Sequence, residues 1–229
     1  MAAIFNSHGM VTAHNILLKD LYHLNAEALL KEIEWFNKVL QARLQLHFNE
    51  PCEYSSIADI EPPSLEKDES VFTEFIRFYQ LTTQERVVMM LALIPHVCPQ
   101  LLDIFFVKHN NAERLHTEFG GLKGSAYSGF LPTGETALFL LAGNDIGKRF
   151  KIQQLFDADH VFRRHNIVYL APAPSSEPFF CGQLMINDEY VDLLTGGKIR
   201  KPVFSMDFPA KRIITTMDWH DLVLDEHTF

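Results

Sequence analysis

The apolar positions of this chain fall first into a helical rhythm. From Asn25 onward, Leu29, Ile33, Phe36, Leu40 and Leu44 recur at three- and four-residue steps, which places them on one face of a helix. Trp35, Val39, Ala42 and Leu46 form a second stripe on another side. Asn25 reads as the N-cap, with Glu27 in the first turn. A helix with two apolar faces must be covered twice, so it packs centrally or offers Trp35, Val39 and Leu46 to another subunit. Before it, residues 1–24 show only a short helical pattern near Ile16–Leu24. After it, Pro51, Pro62, Pro63 and the acids Glu61, Glu66, Asp68 and Glu69 read as an exposed linker over 48–69.

The pattern then predicts a series of short elements. Val71–Tyr79 is amphipathic. Thr82-Thr-Gln-Glu85 has capping-box spacing and opens a helix that Pro95 is expected to stop after Ile94. Pro99 suits a first helical position before the apolar run Leu101–Val107, making a corner like that of a helix–turn–helix. Residues 109–128 are loop-like. Thr133 is placed to cap a helix over Gly134–Ala142 that is apolar nearly all round and therefore buried, and Gly143 ends it. A helix over Ile146–Phe156 follows. Ile167–Leu170 and Phe179–Ile186 read as two strands of a hairpin, and Asn187 caps a helix from Asp188 to Leu194 that Gly196-Gly197 ends. The fold class expected is mainly α with a small β-hairpin (α+β). Its core would resemble a winged helix, with an N-terminal helical extension. The expected division is a helical region over 1–60, a winged-helix-like domain over 61–205 and a linker over 206–229.

Composition changes this picture little. The chain has 229 residues, 47% hydrophobic and 21% charged, as ordinary globular proteins do. Charge is more informative. Of the formal −9, residues 1–118 carry 9 Lys+Arg against 16 Asp+Glu, and the remainder 11 against 13. That acidic first half disfavours nucleic acid as a partner, because phosphate contacts need cations. Basic knots remain at Lys148-Arg149-Phe-Lys151, Arg163-Arg164-His165 and Lys198-Ile-Arg200-Lys201. Cys52, Cys98 and Cys181 show no paired spacing and fit reduced thiols, hence a cytoplasmic location. No apolar run approaches the roughly 20 residues of a membrane span.

Three stretches imitate nucleotide motifs. Gly129 to Thr136 has the spacing of a phosphate loop, but Glu135 stands where that chemistry needs Lys, and no strand precedes it. Gly143-Asn-Asp-Ile-Gly147-Lys148 is one residue short. Leu184-Met-Ile-Asn-Asp188-Glu189 resembles an ATPase acidic motif without a phosphate loop to serve. All three read better as capped helix starts, so no catalytic, cofactor-binding or metal residues are assigned. Among eleven His, the nearest groupings (His96 with Cys98, His109 with His116, His160 with His165) lack metal-ligand spacing.

Asp207-Phe-Pro-Ala-Lys211 and Trp219-His-Asp-Leu-Val-Leu224 resemble the segment that leads into the ATPase module in a group of bacterial AAA-family ATPases. Gly129–Gly143 is similar to a recurrent signature of the N-terminal region of the same proteins. The resemblance implies a non-catalytic N-terminal domain that recognises a protein substrate or adaptor, or helps assembly. ATP and magnesium would then be held by a module beyond Phe229, through which the protein would form a homo-oligomer. The candidate interaction residues are Trp35, Val39, Leu46, Arg163, Arg164, Lys198, Arg200 and Lys201. The alternative is a winged-helix DNA-binding regulator whose phosphate contacts come from the basic residues of that set.

Overall fold

A computed structural model describes residues 7–108 and 114–198, with side chains from residue 21. Its elements are mainly helical, with two small antiparallel hairpins. The spine is α1 (Ser7–His47), 41 residues and therefore about 60 Å long. Around it lie α2 (Val71–Phe78), α3 (Thr83–Val97), α4 (Gly134–Ala142), α5 (Ile146–Gln153), α6 (Val161–Arg164) and α7 (Asp188–Gly196). Strands β1 (Leu122–Lys123) and β2 (Phe130–Leu131) pair with each other, as do β3 (Val168–Leu170) and β4 (Leu184–Ile186).

Most of both apolar stripes of α1 is buried by this chain, with Ile33 and Leu46 half-buried. Phe36 and Leu40 face the common core, and so do Trp35, at 3% exposure, and Val39, at 1%. The helix is central, and the expectation that Trp35 and Val39 form an outward interaction surface is corrected. Their cover is the segment predicted to be an exposed linker. Ile57 and Ile60 are buried, and the indole Nε1 of Trp35 donates to Ile60 O at 3.1 Å. An apolar pair and one hydrogen bond thus turn an acidic, Pro-rich stretch into a strap. One hydrophobic cluster runs from Ala28 to Leu194, through both sides of the expected 60/61 boundary.

Asn25 caps helix ends, but not that of its own helix. It lies within α1, fully buried, and its Nδ2 donates to Leu193 O and Leu194 O in the last turn of α7. Its Oδ1 accepts from Phe72 N in the first turn of α2. Helix ends leave such groups without partners, and one amide serves the ends of two helices. Arg43 does the same for α4, donating from Nε to Leu140 O at 2.8 Å and from Nη2 to Leu141 O at 3.3 Å. Burial lowers the pKa of its guanidinium.

Pro95 does not end α3. The helix runs on to Val97, because a proline in the last turn forfeits only its own bond and Cys98 N closes the turn onto Ile94 O. A 3-10 helix over Pro99–Phe106 then leaves at 105°. Among the described residues no single helix is long and apolar enough to cross a membrane; that bent pair reaches the length only jointly, and α3 is buried from Arg86 to Ile94.

Candidate functional site

The region from Gly120 to Gly197 contains all three nucleotide-like stretches, and local hydrogen bonds account for each. Thr133 Oγ1 accepts from Thr136 N, and Thr136 Oγ1 accepts from Thr133 N, which makes a reciprocal capping box. Gly134 N is used by Gly182 O, and Gly121 N reaches Thr133 Oγ1 at 3.1 Å. Glu135, where a phosphate loop needs a cation, is held by Arg149 Nη2 at 2.7 Å to both carboxylate oxygens. Gly134 has no room for a side chain, since a Cβ there would meet Phe180 at 2.7 Å and Leu170 at 2.9 Å. These residues do not fit a nucleotide phosphate. Similarly, Asp145 caps α5 by accepting from Lys148 N, and Asn187 caps α7 by accepting from Glu189 N.

The same bonds add a third extended segment to the β3–β4 hairpin. Leu184 N donates to Pro132 O, and Thr133 bridges Gln183 antiparallel. Strand β4 therefore lies between Pro132–Thr133 and β3, whose register pairs Val168 with Ile186 and Leu170 with Leu184. Chain order here is extended segment, α4, α5, α6, β3, β4, with the last strand in the middle.

The outer side of α5 exposes two large apolar side chains. Ile146 and Phe150, four residues apart and hence on one face, are 65% and 63% exposed. Lys148 and Lys151 are exposed on the same helix, while Arg149 is turned inward to Glu135. Spacing alone foreshadowed little of this, because Ile146 and Phe150 carry the period expected of a buried stripe. Only Ile152 of α5 is buried.

The basic candidates separate. Arg163 and Arg164 are exposed in α6, and Lys198 is exposed with its ammonium 5.9 Å from the Tyr22 ring. Leu46 is half-buried near the end of α1. Arg200 and Lys201, with the tail matches over 207–224, lie outside the described residues.

Sequence spacing missed the cluster at the C-terminal end of α1. His47 Nε2 and His116 Nδ1 each lie 3.1 Å from the same oxygen, Oε1 of Glu118. His47 and His116 are 14% and 9% exposed, Glu118 36%. Phe48, Phe119 and Phe139 set their rings around His47 at 4.9, 5.6 and 5.1 Å, and His116 stacks on Phe119 at 4.8 Å. Burial alone would raise the Glu118 pKa. Its backbone hydrogen bond, the His116 hydrogen bond and the His116 and His47 charges together bring it below the ordinary carboxylate value. His116 thus partners residues 47 and 118, while His109, its expected neighbour, lies outside the described residues. His160 is committed elsewhere. It accepts from Phe162 N at Nδ1, and its Nε2 donates to Glu85 Oε1 at 2.9 Å, tying the caps of α6 and α3 together.

The chain matches no protein-family model, and no curated protein or solved structure shows significant similarity to it.

Proposed function

We propose that this chain is a non-catalytic recognition domain with a winged-helix-like core, the N-terminal region of a cytoplasmic AAA-type ATPase. The observation that carries the recognition role is the uncovered Ile146/Phe150 face of α5 with Lys148 and Lys151 beside it. Contiguous exposed apolar patches rimmed by polar residues mark interaction sites. The flanking lysines favour a protein segment that offers apolar side chains among acids. The order extended segment, helices, β3, β4, with β4 central, supports the winged-helix-like core. The three free, half-buried cysteines agree with a reducing compartment. The ATPase connection rests on Asp207–Lys211, Trp219–Leu224 and Gly129–Gly143. ATP and magnesium would be held outside these residues, and oligomerisation would come from that module.

Site-specific photo-crosslinkers at positions 146 and 150, introduced into the full-length protein in its own cells, test the recognition role. With the crosslinker at 146, a discrete protein adduct that Phe150→Asp abolishes is expected; adducts no different from those at a distant exposed position would remove α5 as the recognition face. The ATPase connection is tested separately by the coding sequence downstream of codon 229, which should contain a phosphate loop with its Lys.

Exposed Arg163 and Arg164 favour the alternative, a DNA-binding regulator. It requires salt-dependent retention on duplex DNA that Arg163→Ala with Arg164→Ala abolishes. No retention at low salt would eliminate it.

A further inference from the structure

The His47, His116 and Glu118 donors converge from two segments that are 69 to 71 residues apart in sequence. Their ligand atoms all lie within 4.8 Å of one another. In a tetrahedral zinc site with bonds of 2.0–2.1 Å, two ligand atoms are about 3.3 Å apart. Both nitrogen-to-Oε1 distances are 3.1 Å, close to that edge. Two of the three ligand-to-ligand edges are therefore already near that length.

The surroundings are aromatic. Phe48, Phe119 and Phe139 pack edge-on around the His47 ring, and the buried Phe119 and Phe139 lower the local polarity, which strengthens charge interactions. Glu118 is the most open of the three groups, so the approach from solvent is past the carboxylate. Two imidazoles and one carboxylate are a borderline donor set, suited to zinc-class divalent ions rather than to calcium or magnesium, which take oxygen ligands.

We propose that His47 Nε2, His116 Nδ1 and a Glu118 carboxylate oxygen bind one divalent transition-metal ion of the zinc class, with water completing the coordination. Each neutral imidazole then carries its proton on the other ring nitrogen, Nδ1 of His47 and Nε2 of His116. The ion fastens the end of α1 to the 3-10 turn Thr117–Phe119. Gly120 and Gly121 follow that turn directly, and Gly121 N bonds the Thr133 cap of α4. Metal binding thereby stiffens the base on which α4 and α5 stand.

The test is calorimetric titration of the chelator-treated full chain with Zn²⁺ alone. One equivalent should bind saturably. Glu118→Gln and His47→Ala should each weaken it at least about tenfold, since even outer partners of metal ligands contribute 10- to 100-fold. Co²⁺ in place of Zn²⁺ should give the strong visible absorption of a four-coordinate site, lost in Glu118→Gln. Circular dichroism and melting of the metal-free variants show that they are folded, and Glu118→Gln keeps the side-chain shape. Zinc should raise the melting temperature of the unaltered chain and not that of Glu118→Gln. Two results overturn the proposal: no saturable binding at sub-millimolar Zn²⁺, or binding undiminished in the folded Glu118→Gln and His47→Ala variants. The second would put the ion on the cysteines or on histidines nearer the N-terminus.

Discussion

Glu32 and Glu118 are both carboxylates met by nitrogen donors from far along the sequence, yet they do different things. Glu32 is sealed. Arg86 Nε and Nη2 donate to its two oxygens at 2.8 and 2.7 Å, and the side chains are 2% and 5% exposed. Arg86 also donates to Pro63 O of the strap and lies 5.4 Å from the Trp35 ring. Glu118 is open, and its partners are imidazoles, which can exchange a proton for an ion. The difference teaches that burial with a permanent cation makes a fastener, whereas partial exposure with imidazole partners is the arrangement the proposed metal site needs.

The largest effect should come from breaking the sealed pair. Arg86→Met leaves the Glu32 charge buried without a partner, and urea denaturation should show a loss of about 3–5 kcal/mol. The double change Glu32→Leu with Arg86→Met should recover most of it. If the single change costs no more than a surface substitution, the pair is not the fastener described.

Next comes Asn25→Leu, which strips one acceptor and two donor contacts from the ends of α2 and α7. A loss of roughly 2 kcal/mol is expected by denaturation, with hydrogen exchange rising at Phe72 N. Thr133→Ala removes the cap of α4 and the partner of Gly121 N, and should cost about 1 kcal/mol.

A smaller effect separates the strap side by pH. Burial would raise the Asp68 pKa, but the Ser70 side-chain and backbone hydrogen bonds, the Thr73 hydrogen bond and the Lys31 charge lower it overall. A carboxyl depressed in the folded state stabilises it above the unfolded-state pKa, and that contribution disappears as pH falls through the folded value. The stability difference between the parent chain and Asp68→Asn should therefore shrink in acid, from a starting size below about 1 kcal/mol. A difference constant down to strongly acid pH would contradict the assigned hydrogen bonds. Smallest of all, Phe150→Asp should change stability by no more than about 0.5 kcal/mol, because its side chain leaves the core untouched. A larger loss would mean that Phe150 contributes to the fold rather than offering a free face.

Much of the helical plan was legible. Thr82 with Glu85, Thr133 before its buried apolar run, and Asn187 before Asp188 all cap as their spacing predicts. The hairpin also forms, though β4 is shorter than expected, because Phe179–Cys181 coils into a 3-10 turn. Asn25 misled because a good capping residue before an apolar period looks the same whether it caps its own helix or two others. The strap misled because prolines and acids signal exposure, while two isoleucines among them suffice to dock it. Of the candidate sites, Arg163, Arg164 and Lys198 are on the surface as a basic knot would be, whereas Trp35 and Val39 are inside.

The sequence by itself determined where α3, α4 and α7 begin, because their capping bonds close within three residues and the donors and acceptors are encoded in that short spacing. Only the tertiary structure decided the partners of Asn25, Arg43, Glu32 and Glu118. Apart from the short step from His116 to Glu118, those bonds join residues 47 to 169 positions apart, and nothing in their separation encodes them. They follow from which face of α1 meets which helix end, and that is settled by packing both apolar stripes of α1 at once.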